Sequence, residues 1–171
     1  MPFSPLPDGS INLSQHRTFN SNLWILIAAI LALVADQATK HIVTSQFLPG
    51  ESRIVVANLL KWTYERNTHG AFGLFGNSGV LLILMAVVVL FIFWISFRDQ
   101  AKRSRLVCIA FGMIVGGAIG NIVDRVHLGY VVDFIDFYRI WPNIFNVGDS
   151  CITSGVILLL LASLGRSRRH A

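Results

Sequence analysis

Leu106-Val-Cys-Ile-Ala-Phe-Gly-Met-Ile-Val-Gly-Gly-Ala-Ile-Gly-Asn-Ile-Val-Asp-Arg-Val-His-Leu-Gly-Tyr-Val-Val-Asp-Phe-Ile-Asp-Phe137 opens as an apolar run and closes among three aspartates and an arginine. Up to Val123 it is polar only at Asn121. A membrane span needs about 20 apolar residues, because a helix rises about 1.5 Å per residue across about 30 Å of hydrocarbon. Leu106–Val123 meets that need, and the carboxylates then fall at its end. Composition points the same way. The chain has 171 residues, 54% of them hydrophobic and 13% charged, with a mean hydropathy of +0.62. A water-soluble domain must cover itself with polar side chains; a membrane protein is wetted by lipid.

Three further segments read as spans. Gly79–Phe97 has Ser96 as its only polar side chain, and Val147–Gly165 is apolar after its first turn. Leu23–Ala35 is uninterrupted for only thirteen residues, so it spans only by continuing through Asp36 and Lys40 to about Val43. The fold class is therefore an α-helical integral membrane protein, with spans at about 23–43, 79–97, 106–123 and 147–165. The whole of 23–165 forms one domain between a tail over 1–22 and a basic tail over 166–171. Cys108 and Cys151 lie in apolar runs and read as packing residues, neither a disulfide framework nor a zinc site.

Orientation follows from the basic residues. Arg17, Arg98, Lys102, Arg103, Arg105, Arg166, Arg168 and Arg169 make eight of the fourteen Lys and Arg, and four spans place all eight on one side. Basic loops stay cytoplasmic, so both termini are expected inside. Topology accounts for the net charge of +5, and no nucleic-acid partner is called for.

The outer side then holds two loops, over 44–78 and 124–146. In the first, Arg53–Val56 is β-branched and Leu59–Glu65 alternates, which predicts a two-stranded hairpin turning at Ala57-Asn58. A lone hairpin is marginal in water, so this small β-rich subdomain is expected to lie on the membrane surface. The second loop carries Asp133 and Asp136.

Asn121 and Asp124 stand three apart on one face of span three, and Asn146 and Asp149 stand three apart at the start of span four. The loop with Asp133 and Asp136 joins them, so carboxylates and carboxamides converge at one depth near the outer interface. Any single one of these residues reads as a helix cap. Two sets converging from adjacent helices point to function, since ionisable groups beside spans are costly. No His-Glu-x-x-His is present, Gly76-Asn-Ser-Gly-Val80 lacks the second glycine of a nucleophile elbow, and His69 and His127 are isolated. A pair of aspartates remains. Two close carboxylates cannot easily both ionise, so one takes a proton from water while the other gives one to a carbonyl oxygen, which is peptide hydrolysis without metal or covalent intermediate.

Four motifs carry a resemblance. Val34-Ala-Asp-Gln-Ala-Thr-Lys40, Gly116-Gly-Ala-Ile-Gly-Asn-Ile-Val-Asp-Arg125, Gly129-Tyr-Val-Val-Asp-Phe134 and Phe145-Asn-Val-Gly-Asp149 occur in the order, and on the spans, of the lipoprotein signal peptidases (signal peptidase II). The chain resembles that family of bacterial membrane aspartic proteases over about Trp24–Leu164. The resemblance implies catalytic roles for Asp133 and Asp149 and supporting roles for Asn67, Asn121, Asp124, Arg125 and Asn146. It implies that the substrate is a prolipoprotein whose cysteine carries a diacylglyceryl group, cut just before that cysteine. It further implies inhibition by cyclic peptides of the globomycin type, an inner-membrane location with the site near the outer face, contact with membrane lipid, and no metal or cofactor. A monomer is expected. A cation transporter is the competing class, but it would show mid-span helix breaks in repeated halves, and none is visible.

Two departures stand out: His69 occupies a usual glycine in Asn67-Thr-His-Gly-Ala-Phe72, and Gly148 replaces a usual alanine. Glycine there loosens the first turn of helix four by up to about 1 kcal/mol. Gly112, Gly116 and Gly120 form a small-residue ridge, expected to bring span three close enough for the aspartates to meet. Asp36 and Lys40 read as a structural i,i+4 pair with Lys40 snorkelling outward. Arg125, directly after Asp124, is expected to offset that carboxylate's poor position at a helix C-terminus and is also a candidate to bind ester or phosphate oxygens of a lipid. Between the pair, Asp149 in the first turn of helix four is the expected base and Asp133, among apolar neighbours, the expected acid. Asp136 is expected in a loop, facing solvent.

Overall fold

The computed structural model describes residues 20–68, 79–102 and 104–167. The tail before residue 20, His69, the serine of the Gly76–Val80 stretch, Arg103 and the last basic residues from Arg168 lie outside the described residues. Four helices cover the four apolar segments: α1 (Ser21–Gln46), α2 (Gly79–Ala101), α3 (Arg105–Leu128) and α4 (Val147–Ser167). Each is long and apolar enough to cross a membrane. α1 does run on through Asp36 and Lys40. It starts on Asn20, whose side chain accepts from the Leu23 N–H at 3.2 Å. α3 starts on Ser104 and stops at Gly129, which takes a left-handed φ of 81°, a conformation that glycine adopts without steric cost.

α3 is the central helix and touches the other three. Leu84, Val88, Phe91 and Ile95 of α2, Leu31 and Val34 of α1 and Leu160 and Leu161 of α4 all point outward and exposed. So much exposed apolar surface is untenable in water and suits lipid. The interior is made by close backbone approach. A Cβ on Gly112 would stand 2.7 Å from the Ala28 Cβ, and one on Gly116 would stand 2.8 Å from the Ala32 Cβ. The glycine ridge therefore faces α1. This corrects the expectation that the ridge draws the aspartates together. The approach of α3 to α4 uses other glycines: Gly117 lies against the Gly148 backbone, and a Cβ on Gly155 would stand 2.6 Å from the Ala110 carbonyl oxygen. Gly148 is explained by the same contact, since a Cβ there would stand 2.9 Å from the Gly117 carbonyl oxygen.

A four-stranded antiparallel sheet closes one end of the bundle, in the order β1 (Ser52–Val56), β2 (Leu60–Asn67), β3 (Val131–Asp136), β4 (Ile144–Phe145). The hairpin β1–β2 turns over residues 57–59, with Asn58 at φ 63°, but it does not stand alone. β3 pairs with β2 in a register that sets Glu65 opposite Asp133 and Asn67 opposite Val131. The second expected loop, 124–146, is thus the last turn of α3 followed by strand and turn, and Asp133 sits on a strand. Val131-Val-Asp-Phe-Ile shows no alternation because β3 is buried on nearly all its positions, and a strand covered on both faces loses its period-two signal. Val132 and Phe134 pack with Val43, Phe47 and Tyr64 to seat the sheet on the end of α1.

Candidate active site

The site forms where the C-terminal end of α3, the start of α4 and β3 meet. Asn146 organises it. As the residue before α4, its Oδ1 accepts from the Asp149 N–H at 2.8 Å, while the Asp149 Oδ2 accepts from the Asn146 N–H at 3.3 Å. This reciprocal cap satisfies donors that a helix start leaves without partners. The same side chain donates through Nδ2 to Asp133 Oδ1 at 2.7 Å and to Asn121 Oδ1 at 3.0 Å. Asn121 Nδ2 donates to Asp149 Oδ1 at 2.8 Å, and Asn67 Nδ2 to Asp133 Oδ2 at 2.8 Å. Each oxygen of both carboxylates thus accepts an N–H. Asn146 is fully buried and Asp133 is 2% exposed. Burial pushes the Asp133 carboxyl up to about 7, with the Asp149 charge adding to the effect and the Asn67 and Asn146 hydrogen bonds opposing it.

A cation lies beneath this pair. Lys40 is 3% exposed, and its ammonium meets Asp36 Oδ2 at 2.8 Å, Asp124 Oδ2 at 2.9 Å and Asn121 Oδ1 at 2.8 Å. The expectation that Lys40 snorkels outward is therefore corrected: the ridge glycine Gly120 faces the Asp36 carboxylate, so this side of α1 lies against α3 rather than lipid. Asp36 Oδ1 accepts from the Gly148 N–H at 2.7 Å, one residue before Asp149. Gln37 Nε2 donates to Asp124 Oδ1 at 3.0 Å and to the Gly120 carbonyl at 3.2 Å. Asp124 also accepts the Val132 N–H at 3.0 Å, which pins β3 to α3. Among the described residues no buried side-chain nitrogen or oxygen lacks a hydrogen-bond partner.

Other expected residues fall at the margin. Arg125 is half-buried and donates to the Asn121 carbonyl at 3.2 Å. Asp136 does not face solvent. It is 7% exposed, accepts from Thr63 Oγ1 at 2.9 Å and pairs with Lys61 at 3.2 Å. The sheet covers it from β2, and it takes no part in the Asn146 network. His127 is exposed. Cys108 donates to the Ala101 carbonyl at 3.0 Å, in the apolar cluster with Ile114 and Leu159, and both cysteines are free.

A buried aspartate on β3 and a half-buried one on α4, held by three asparagines over a buried lysine, are now in view. A family model described as signal peptidase (SPase) II matches residues 28–165. The chain belongs to the signal peptidase II family. It is similar to the lipoprotein signal peptidase of Cupriavidus necator, with 40% identity over 156 residues and 86% of each chain covered. It is similar to that of Moorella thermoacetica, with 38% identity over 148 residues, covering 85% of this chain and 97% of the relative. A solved bacterial membrane enzyme superposes with a TM-score of 0.78 at 30% identity, over 86% of this chain and 91% of that one. As a signal peptidase II the chain is a multi-pass membrane protein and an aspartic endopeptidase that removes signal peptides from lipoproteins.

Set against this signal peptidase II framework, the site residues missed at the sequence level are Asp36, Gln37 and Lys40. A signal for them existed. An ionisable pair within a span is expensive and by default belongs to a site, whereas an i,i+4 acid–base pair taken from sequence alone reads as ordinary helix support.

Proposed function

We propose that Asp133 and Asp149 are the catalytic pair and that they cut a prolipoprotein just before its diacylglyceryl-modified cysteine. The observation that carries this reading is that Asn146 donates to both carboxylates at once, through Nδ2 to Asp133 and through its backbone N–H to Asp149, while burial pushes the Asp133 carboxyl up to about 7. Asp149 receives two N–H donors in the first turn of α4, where the helix dipole favours an anion. Asp149 takes a proton from water as the oxygen attacks the scissile carbonyl, and Asp133 gives its proton to the carbonyl oxygen. Collapse of the tetrahedral intermediate passes a proton to the departing cysteine nitrogen and leaves the signal peptide with a free carboxylate. Asn67, Asn121 and Asn146 hold the carboxylates, and Arg125, half-buried beside Asn121, is the residue we assign to glyceryl ester oxygens of the lipidated cysteine. A cyclic peptide of the globomycin type should occupy the same site and block cleavage.

Lipid selection tests the substrate. In micelles with a chelator present, the lipidated precursor should be cleaved at least about tenfold faster than the bare one, because binding energy from the remote lipid is used at the reacting bond. Arg125→Ala should narrow that ratio. Equal wild-type rates on both precursors would exclude lipid recognition.

We also place both termini and the segment between α2 and α3 in the cytoplasm, and the sheet and the aspartate pair at the outer face of the inner membrane. The support is the basic set at 98, 102 and 105, at the bundle end opposite the sheet. In a cysteine-free background, an impermeant maleimide added to intact cells should label Asn58→Cys and spare Lys102→Cys. The reverse pattern would invert the topology.

A further inference from the structure

Lys40 spends its three N–H donors on Asp36, Asp124 and Asn121. The third is the informative one. Asn121 Oδ1 accepts from Lys40 Nζ at 2.8 Å and from Asn146 Nδ2 at 3.0 Å. Both partners are obligatory donors, so the Asn121 amide has one orientation, and its Nδ2 must face Asp149 Oδ1, 2.8 Å away. A cation on the oxygen of an amide polarises its N–H bonds, and linked hydrogen bonds strengthen one another in a dry interior. Asp149 therefore meets a stronger donor than a neutral carboxamide alone supplies, while Asp133 is held by Asn67 and Asn146 without a cation in contact.

We infer that Lys40 is a positioning residue of the aspartate pair, acting through the Asn121 carboxamide to fix Asp149 as the ionised member and Asp133 as the member that carries the proton. This rests on the reading of Asp133 and Asp149 as the catalytic pair. The charged groups facing Lys40 and the pair are Asp36 from α1, Asp124 and Arg125 from α3, Asp149 from α4 and Asp133 from β3. Glu65 on β2 stands opposite Asp133 but is exposed. Asp36 and Asp124 together outweigh the one charge of Lys40, so the field at the pair responds to each member of the triad with a defined sign.

The test is the pH dependence of kcat for the lipidated precursor, measured on full-length enzyme in micelles beside thermal unfolding. Lys40→Met removes the cation, so the pair should hold its shared proton to higher pH. The alkaline limb should move up, and kcat should fall about tenfold, the worth of one charge-assisted hydrogen bond, with little change in KM. Asp124→Asn removes an anion and should move the same limb down. In an Asn121→Ala background the effect of Lys40→Met on kcat should largely vanish, since the coupling runs through that amide. A purely structural lysine would lower thermal stability and leave both limbs in place, and that result overturns the inference. Should Lys40→Met not fold, Asp124→Asn decides alone, an unmoved limb counting against Lys40. Asp133→Asn and Asp149→Asn are measured alongside. Turnover in those variants defeats the pair itself, whereas loss of turnover with unmoved limbs defeats only the role of Lys40.

Discussion

Asp133→Asn and Asp149→Asn should each reduce cleavage of a lipidated precursor by at least about 10²-fold, the low end of what acid–base catalysis contributes. The substitution keeps shape and removes the titrating proton. Its structural cost can be read from the site. Asp133 accepts from Asn146 on one oxygen and from Asn67 on the other, and Asp149 accepts from Asn121 on one and from the Asn146 N–H on the other. An asparagine in either place turns an NH2 toward a donor whichever way it is built. A stability loss of about 1–3 kcal/mol is expected for such a buried mismatch, so turnover has to be expressed per folded enzyme. Asp136→Asn is the internal control. It touches Thr63 and Lys61 rather than the asparagines and should change cleavage little. Cleavage lost at 136 and kept at 133 or 149 would reverse the assignment.

The second large effect belongs to Asn146. Asn146→Ala removes the cap of α4, the donor to Asp133 and one donor to Asn121 in a single step. Loss of the cap alone costs about 1 kcal/mol, and the stranded buried acceptors add a similar amount or more. Cleavage should fall by about 10²-fold, since neither carboxylate keeps its geometry. Asn146→Ser separates the two roles. Serine caps a helix as well as asparagine does but is too short to reach Asp133. Thermal unfolding should return most of the way to wild type while cleavage stays low. Recovery of both would make Asn146 a cap and nothing more.

Much of this site is legible in the sequence because its spacing is helical. Asn121 with Asp124, and Asn146 with Asp149, announce one face of α3 and one end of α4 by being three apart beside apolar runs. What escapes is whatever depends on a partner across space. An i,i+4 pair such as Asp36 and Lys40 looks the same whether it faces headgroups or a neighbouring helix. The deciding residue is Gly120, eighty positions away from Lys40, where a missing side chain admits the Asp36 carboxylate. β3 escapes because burial on both faces erases alternation, and with it goes the placement of Asp133 on a strand and of Asp136 under β2. The contact of α3 with α4 is equally silent, since Gly117, Gly148 and Gly155 are shared between two helices and form no repeat on either.

The pair's shared proton is open to direct observation. Difference infrared spectra of the enzyme in micelles, recorded across the neutral range, report the carbonyl stretch of a protonated carboxyl. Asp133 is pushed up to about 7, so its protonated form is present below that pH and is lost as pH rises through it, although the titration belongs to the pair jointly. One carboxylic acid band should be present at about pH 6, disappear by about pH 9, and be absent from Asp133→Asn at both. A spectrum with no protonated carboxyl at about pH 6, or a band that survives in Asp133→Asn and vanishes in Asp149→Asn, would contradict the assignment of acid and base on which the proposed hydrolysis depends.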